Sequence, residues 1–282
     1  MPPELRPLLR LEALRRPGGP GPLEAALLEG WALSPTVYRF DPDAYEQLRG
    51  SCFEGTVPLA LLARLPEPSL YVAFPRPRPT GLGLAHGFFA RLEAGTLWLL
   101  HDLSGWGDLE LQAFPLDGEA EAAVRPYRAE ARRRAYLSFV ASLAPDISAV
   151  DVEFEPLETD AAGAALSLLL YRVAAPGDAA EAPAPPGGEG LRLWEVGGRL
   201  GGALRRVQKE DPHGLARRKR KRLRPHERGP LVGWGSWHGR WAGPDHRPVL
   251  ELRWRPAVRW GLRGLEGLPE VVLRAEALGG PA

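Results

Sequence analysis

Between residues 69 and 116 four segments follow one another: SLYVAFP, HGFFARLE, TLWLLHDL and LELQAFPL. Each alternates or runs apolar, and turn residues separate them. Strand side chains point to opposite faces with a period of two, so such segments bury one face against a second layer. Short connections leave no space for a crossover helix, which restricts neighbours to antiparallel pairing. A four-stranded meander is therefore expected here.

The remaining patterns surround this meander. TVYRF (36–40) reads as a strand. DPDAYEQLRG follows as a helix, with an acidic first turn, a proline near its start and Gly50 at its end. PLALLARLPEP is a second short helix, stopped by Pro66. Residues 127–144 read as a helix with an arginine-rich outer face, residues 151–158 are ambiguous, and residues 160–173 form a strongly apolar, buried helix. LRLWEVGGRLGGALRRVQ is a strand turning into a helix, which Gly201 and Gly202 weaken. PLVGWGSWHGRWAGP and RPVLELRWRPAV pair across a turn at Gly243–Pro244–Asp245. The expected division is a helical extension over 1–30, an α+β core domain over 31–173, a flexible Pro/Ala-rich linker over 174–190 and a basic, Trp-rich region over 191–282 that packs on the core. The fold class is α+β: a mostly antiparallel sheet, helices on one face, and a C-terminal β-hairpin completing the same sheet.

Composition removes several function classes. The chain has 282 residues, enough for a sizeable core, and a single cysteine, Cys52, which excludes an internal disulfide framework and a Cys-rich zinc site. The N-terminus scatters Glu and Arg among its leucines, unlike a signal segment. The longest apolar run, Ala165–Tyr171, is too short to span a bilayer, so a cytoplasmic protein without a membrane partner is expected. The net charge of +1 conceals an asymmetry. From residue 201 onward there are 18 Lys/Arg and 8 Asp/Glu, about +10; residues 1–200 hold 18 and 27, about −9. Such polarity suggests that the C-terminal region meets an anion.

The candidate chemistry lies mostly in that region. GGRLGG (197–202) lacks the spacing of a phosphate loop and reads as a tight strand-to-helix turn. Arg217, Arg218, Lys219, Arg220, Lys221 and Arg222 form an unbroken basic run, with Arg205, Arg206, Lys209, Arg224 and Arg228 around it. Consecutive cations repel one another, and RNA or the ribosome is the natural counterpart. His226, His238 and His246 lie near Glu227 and Asp245. Two of them could serve as acid and base in metal-independent RNA cleavage, although hydrogen-bonding histidines are commoner. No cofactor and no metal site are expected. Trp237 and Trp241, four apart on a regular strand, should share a face, with His238 on the other. Asp41, Asp43, Asp102 and Asp108 are expected to cap turns.

Six blocks in order carry a resemblance. VYRFDPDAYEQLRG, GTVPLALLARLPEPSLYVAFP and HGFFARLE resemble the N-terminal blocks of the second type V-A anti-CRISPR family. LSLLLYRVAA, LWEVGGRLGGALRR and RPHERGPLVGWGSWHGRWAGP…LELRWRPAV resemble its later blocks, so that residues 31–260 are covered. The resemblance implies a protein of phages, plasmids and other mobile elements that is not an active-site blocker. It implies recognition of a host defence polypeptide, the N-terminus of the type V-A Cas effector, during translation, followed by destruction of its messenger RNA. Tyr38, Phe40, Asp41 and Pro42 fall on the N-terminal signature; Trp237, His238 and Trp241 fall on the C-terminal one. The alternatives are a histidine-dependent ribonuclease and a non-catalytic nucleic-acid-binding accessory protein.

Overall fold

The computed structural model describes residues 2–14, 20–80, 83–105, 109–124, 161–210, 236–242, 249–255 and 271–276. The expected helix at 127–144, the segment 151–158 and the turn at 243–245 lie outside them. The meander forms as expected. β3 (Ser69–Thr80), β4 (Gly83–Glu93), β5 (Thr96–Gly105) and β6 (Leu109–Pro115) pair antiparallel in sequence order.

β1 (Thr36–Phe40) extends this sheet by lying parallel to β3, and β8 (Arg192–Val196) lies parallel to β1. β7 (Ala179–Ala182), from within the Pro/Ala-rich stretch, closes the edge antiparallel to β8. The resulting order is β6-β5-β4-β3-β1-β8-β7, a mixed sheet rather than a purely antiparallel one.

Two expectations are corrected. The C-terminal strand pair β9 (Ser236–Ala242) and β10 (Val249–Arg255) does not complete the main sheet. It forms a second sheet, ordered β11-β10-β9-β2, with β11 (Val271–Glu276) and β2 (Cys52–Gly55). The four residues of β2, Cys-Phe-Glu-Gly, are too few to give a strand signal. Its pairing rests on Gly239, where an added Cβ would meet the Thr56 carbonyl oxygen at 1.5 Å. Helices also cover both faces of the main sheet, because both faces are apolar. α1 (Arg6–Ala13) and α2 (Pro22–Ala32) lie on one, where Trp31 and Leu28 meet Phe89 and Val37. The other carries α3 (Pro42–Arg49), the 3-10 turn Leu59–Arg64, α4 (Ala161–Ala174), α5 (Gly198–Glu210) and the second sheet.

Two neighbours in β5 show how the strand serves both layers, since consecutive side chains point to opposite faces. Asp102 was expected to cap a turn, yet it is fully buried. It accepts from Arg6 Nε at 2.8 Å, Arg10 Nε at 2.8 Å and Tyr71 Oη at 3.0 Å, which fastens α1 to the sheet. His101, also fully buried, lies against Phe88 on the other face, and burial lowers its pKa to about 4.

The second sheet docks on α4 and on Ser51, just past the end of α3, through two tryptophans. Trp237 is fully buried and donates to Ser167 Oγ on α4 at 2.8 Å. Trp254, its cross-strand partner, donates to Ser51 Oγ at 2.9 Å. Truncating Trp237 to Ala should cost about 3–5 kcal/mol through the cavity and the orphaned Ser167 hydroxyl; denaturant unfolding measures this. His101 yields a pH dependence. Its folded pKa lies below the unfolded value of about 6.5, so the unfolded chain binds more protons between about pH 6.5 and pH 4. Stability is therefore complete above that window and falls as pH drops through it, by on the order of 3 kcal/mol. Melting curves of wild type and His101→Leu across the window should converge in slope only if another group dominates.

Candidate functional site

The parallel strands β1 and β8 end side by side, and each runs into a helix. Asp41 follows β1, with its backbone N–H on the Val196 carbonyl at 2.8 Å. Its carboxylate caps α3, accepting from the N–H groups of Asp43 and Ala44 at 3.0 and 3.4 Å. Pro42 occupies the first turn, where a missing N–H costs nothing. Beyond β8, Asp178 does the same for α5, accepting from the N–H groups of Arg199 and Leu200 at 2.7 and 3.1 Å. Tyr171 Oη on α4 donates to the same carboxylate at 2.5 Å. Both helix N-termini thus carry their own anion, and their dipoles are already satisfied.

α3 and α5 touch at this point. Gly201 makes the approach possible: a Cβ there would lie 1.8 Å from Asp41 Oδ1. Arg205, one turn on, donates to Asp41 at 2.9 and 3.0 Å and to Asp43 at 2.8 Å. This arginine, one of those expected to meet nucleic acid, joins two helices of the same chain.

Outside the carboxyl ends of β1 and β8 lies a cleft of about 440 Å³. In sheets with parallel strands this position commonly holds ligands. Phe40, Asp41 and Pro42 form part of its wall, beside Glu195, Val196 and Gly198. Pro2, Pro3 and Pro75 supply apolar surface without N–H donors. Arg39 lies in the wall, held by Glu4 Oε1 at 2.9 Å and by Glu195. The lining is therefore apolar and acidic: Glu4, Asp41 and Glu195 against a single arginine.

The other sequence candidates lie apart from this cleft. Tyr38 is interior, where it donates to the buried Glu67 and lies beneath the Arg172 guanidinium at 5.4 Å. Burial pushes the Glu67 carboxyl up, opposed by Arg172. Trp237 is core. Trp241 occupies the register position opposite Leu250, on the parity of Trp237. His238 is on the opposite, solvent-facing parity, with Nδ1 3.1 Å from Glu54 and Nε2 2.6 Å from Ser236 Oγ. Arg206 is exposed on α5, and Lys209 lies near the end of that helix. Arg217, Arg218, Lys219, Arg220, Lys221, Arg222, Arg224, His226, Arg228, Asp108 and His246 lie outside the described residues. The sequence reading missed Arg39, Glu195 and Asp178. The Gly197 turn and the signature residues Phe40, Asp41 and Pro42 pointed toward this corner. Among the described residues no three of His, Cys, Asp or Glu converge as a metal requires, and no helix is long and apolar enough to cross a membrane.

Fold and site together define an α+β protein with a ligand-sized cleft at the carboxyl ends of its parallel strands. The family model for the anti-CRISPR type V subtype A2 family, AcrVA2-like, matches residues 38–262, and the chain belongs to that family. The crystal structure of AcrVA2 is similar at 18% identity over 82% of this chain and 73% of that one, with a TM-score of 0.45. No curated protein matches.

The Gly201 contact predicts a reversal of sign. Helix propensity alone favours Gly201→Ala by about 1 kcal/mol. Here the new methyl displaces the Asp41 cap, worth about 1 kcal/mol, along with its Arg205 pairing. Chemical denaturation should show Gly201→Ala to be destabilising in the wild type and stabilising in an Asp41→Ala background.

Proposed function

We propose that this chain is an anti-CRISPR protein that binds an extended segment of a host defence polypeptide in the cleft and lowers that protein's expression by promoting loss of its messenger RNA. One observation carries the reading: Phe40, Asp41 and Pro42, in the block that carries the family resemblance, wall the cleft. A volume of about 440 Å³ is within the ordinary size of small-ligand sites and admits a few side chains of a peptide. Its proline-rich surface suits an extended chain, and its carboxylates suit a cationic group on it, such as an N-terminal ammonium or a lysine. The N-terminus of the type V-A Cas effector is the candidate ligand, met during translation in the cytoplasm. The C-terminal basic residues would hold the protein near messenger or ribosome, Arg217–Arg222 being the strongest of them by charge density.

Gly198 offers the test. It lines the cleft and has open space where a Cβ would stand. Gly198→Trp should fill the cleft while leaving the melting temperature within a few degrees of wild type. Calorimetric titration with an N-terminal effector peptide should then show at least a tenfold loss of affinity. In cells, an effector reporter should lose messenger when its first codons are recoded synonymously and keep it when they encode another peptide. Equal peptide affinity in Gly198→Trp, or loss of messenger whatever peptide is encoded, would sink the proposal. The relay Glu54–His238–Ser236 favours the ribonuclease as the second reading, because it orients an imidazole as a base would be oriented. RNA cleavage by purified wild type, absent in His238→Ala and unaffected by EDTA, would make that reading the better one.

A further inference from the structure

The outward face of the second sheet carries charge where an ordinary half-buried sheet carries mixed polar residues. Its inner face is apolar: Trp237, Leu250, Leu252 and Trp254 enter the core. Alternation therefore sends Arg240, Glu251, Arg253 and Arg255 outward, together with Arg274 on β11 and Glu54 on β2, whose carboxylate faces His238. Register lines them up. Glu251 stands opposite Arg240 on one side and Arg274 on the other, and Arg253 stands opposite His238.

Glu251 organises the group. Its carboxylate lies beneath the arginines, with only 7% of its side chain exposed, and it accepts from Arg253, from Arg240 at 3.2 Å and faces Arg274 at 3.4 Å. The bond from Arg253, and then that from Arg240, holds the Glu251 carboxyl down at about 2. One anion cannot neutralise three cations. Each guanidinium carries five donors in a rigid fork, and a carboxylate accepts about four hydrogen bonds in all. Arg240 and Arg274 keep 67% and 70% of their side chains exposed, so most of these donors face solvent. Arg255, also exposed, has no ion-pair partner among the described residues. Like charges on neighbouring strands cost stability, and nothing in the core benefits from them.

We infer that this face binds the phosphodiester backbone of a single-stranded nucleic acid, with Arg240, Arg274 and Arg255 contacting phosphates and Glu251 fixing the guanidinium forks. Arg240 and Arg274 flank one strand, about 10 Å apart at their backbones, so their forks reach different phosphates. A protein partner fits less well. Protein interfaces place apolar or aromatic residues at their centre, and this face has Glu251 and Arg253 there. Among the described residues it also carries no Phe, Tyr or Trp on which bases could stack, so binding is independent of sequence. The surface is separate from the cleft and does not depend on the peptide reading.

The test uses the purified full chain and labelled 20-nucleotide single-stranded RNA, with fluorescence anisotropy read over a salt series. The wild type should bind, with similar affinity for a uridine homopolymer and a mixed sequence. The triple variant Arg240→Gln, Arg255→Gln, Arg274→Gln should lose at least tenfold in affinity, and its salt slope should flatten by about 2, as expected for three lost phosphate contacts. Arg255→Gln alone, which disturbs no ion pair among the described residues, should lose about threefold and keeps the test open if the triple variant melts early. Single-stranded DNA of the same sequence separates the two sources of phosphate: preference for RNA assigns the messenger, and equal binding assigns any single strand. Wild-type failure to bind either strand at low salt, unchanged affinity and slope in Arg255→Gln and the folded triple variant, or equal binding of polyglutamate would overturn the inference. The cleft variant Gly198→Trp should bind RNA like wild type, so failure here and failure of peptide binding are distinguishable.

Discussion

Helix α4 has no polar face, and the architecture follows from that. From Ala162 to Val173 every residue is buried, Ser167, Tyr171 and Arg172 included. A helix apolar on all sides cannot rest on one sheet; it must be covered all round. The main sheet covers one side. α3, the 59–64 turn and β11 cover the rest. The second sheet is thus the lid on a helix that water would otherwise reach, and the few polar groups on α4 become its fixing points. Ser167 takes the Trp237 N–H, Tyr171 reaches the Asp178 cap of α5, and Arg172 lies between the rings of Tyr38 and Trp194 at 5.4 and 5.5 Å.

A second buried polar centre does the same work on the far face. Asp102 would be costly in the interior without partners, but two arginines and a tyrosine hydroxyl surround it. Burial and the Asp102 carboxylate push the Tyr71 phenol well above its ordinary range, so it stays a donor. The arrangement commits α1 to one place on the sheet. It also positions the residues before α1, so that Pro2, Pro3 and Glu4 reach the cleft wall and Glu4 meets Arg39. The cleft therefore depends on both layers. Its floor comes from β1 and β8, and one rim comes from a segment that lies before residue 38, where the family match begins.

Arginine serves two purposes in this chain. Arg6, Arg10, Arg39, Arg172 and Arg205 are internal fasteners, each paired with a carboxylate or lying over rings. On the outward face of the second sheet Arg240, Arg253 and Arg274 share one carboxylate, and Arg240 and Arg274 retain exposed donors. Sequence alone does not separate the two groups, since a guanidinium looks the same wherever it stands. Arg205 illustrates this: its sequence neighbours are cationic, but its spatial neighbours are Asp41 and Asp43.

Local rules were sufficient for the meander, for β1 and α3 with the Asp41–Pro42 start, for the turn at Gly197 and for buried α4. Period, capping and turn chemistry act over a few residues and are written in those residues. The signature blocks likewise marked the family, and eight of their residues, Arg39 to Pro42, Pro75, Glu195, Val196 and Gly198, line the cleft. The parallel seating of β8 beside β1, the separation of the C-terminal strands into a second sheet, the enlistment of β2 and β7, and the burial of Asp102 were decided by tertiary structure. All but the β7 pairing depend on partners more than 30 residues away in the chain, as Gly239 lies against Thr56 and Asp102 against Arg6, and β7 has an edge to join only once β8 is seated. Such pairings are selected by the burial of whole faces and the satisfaction of buried charge, quantities that exist only once the chain has closed on itself.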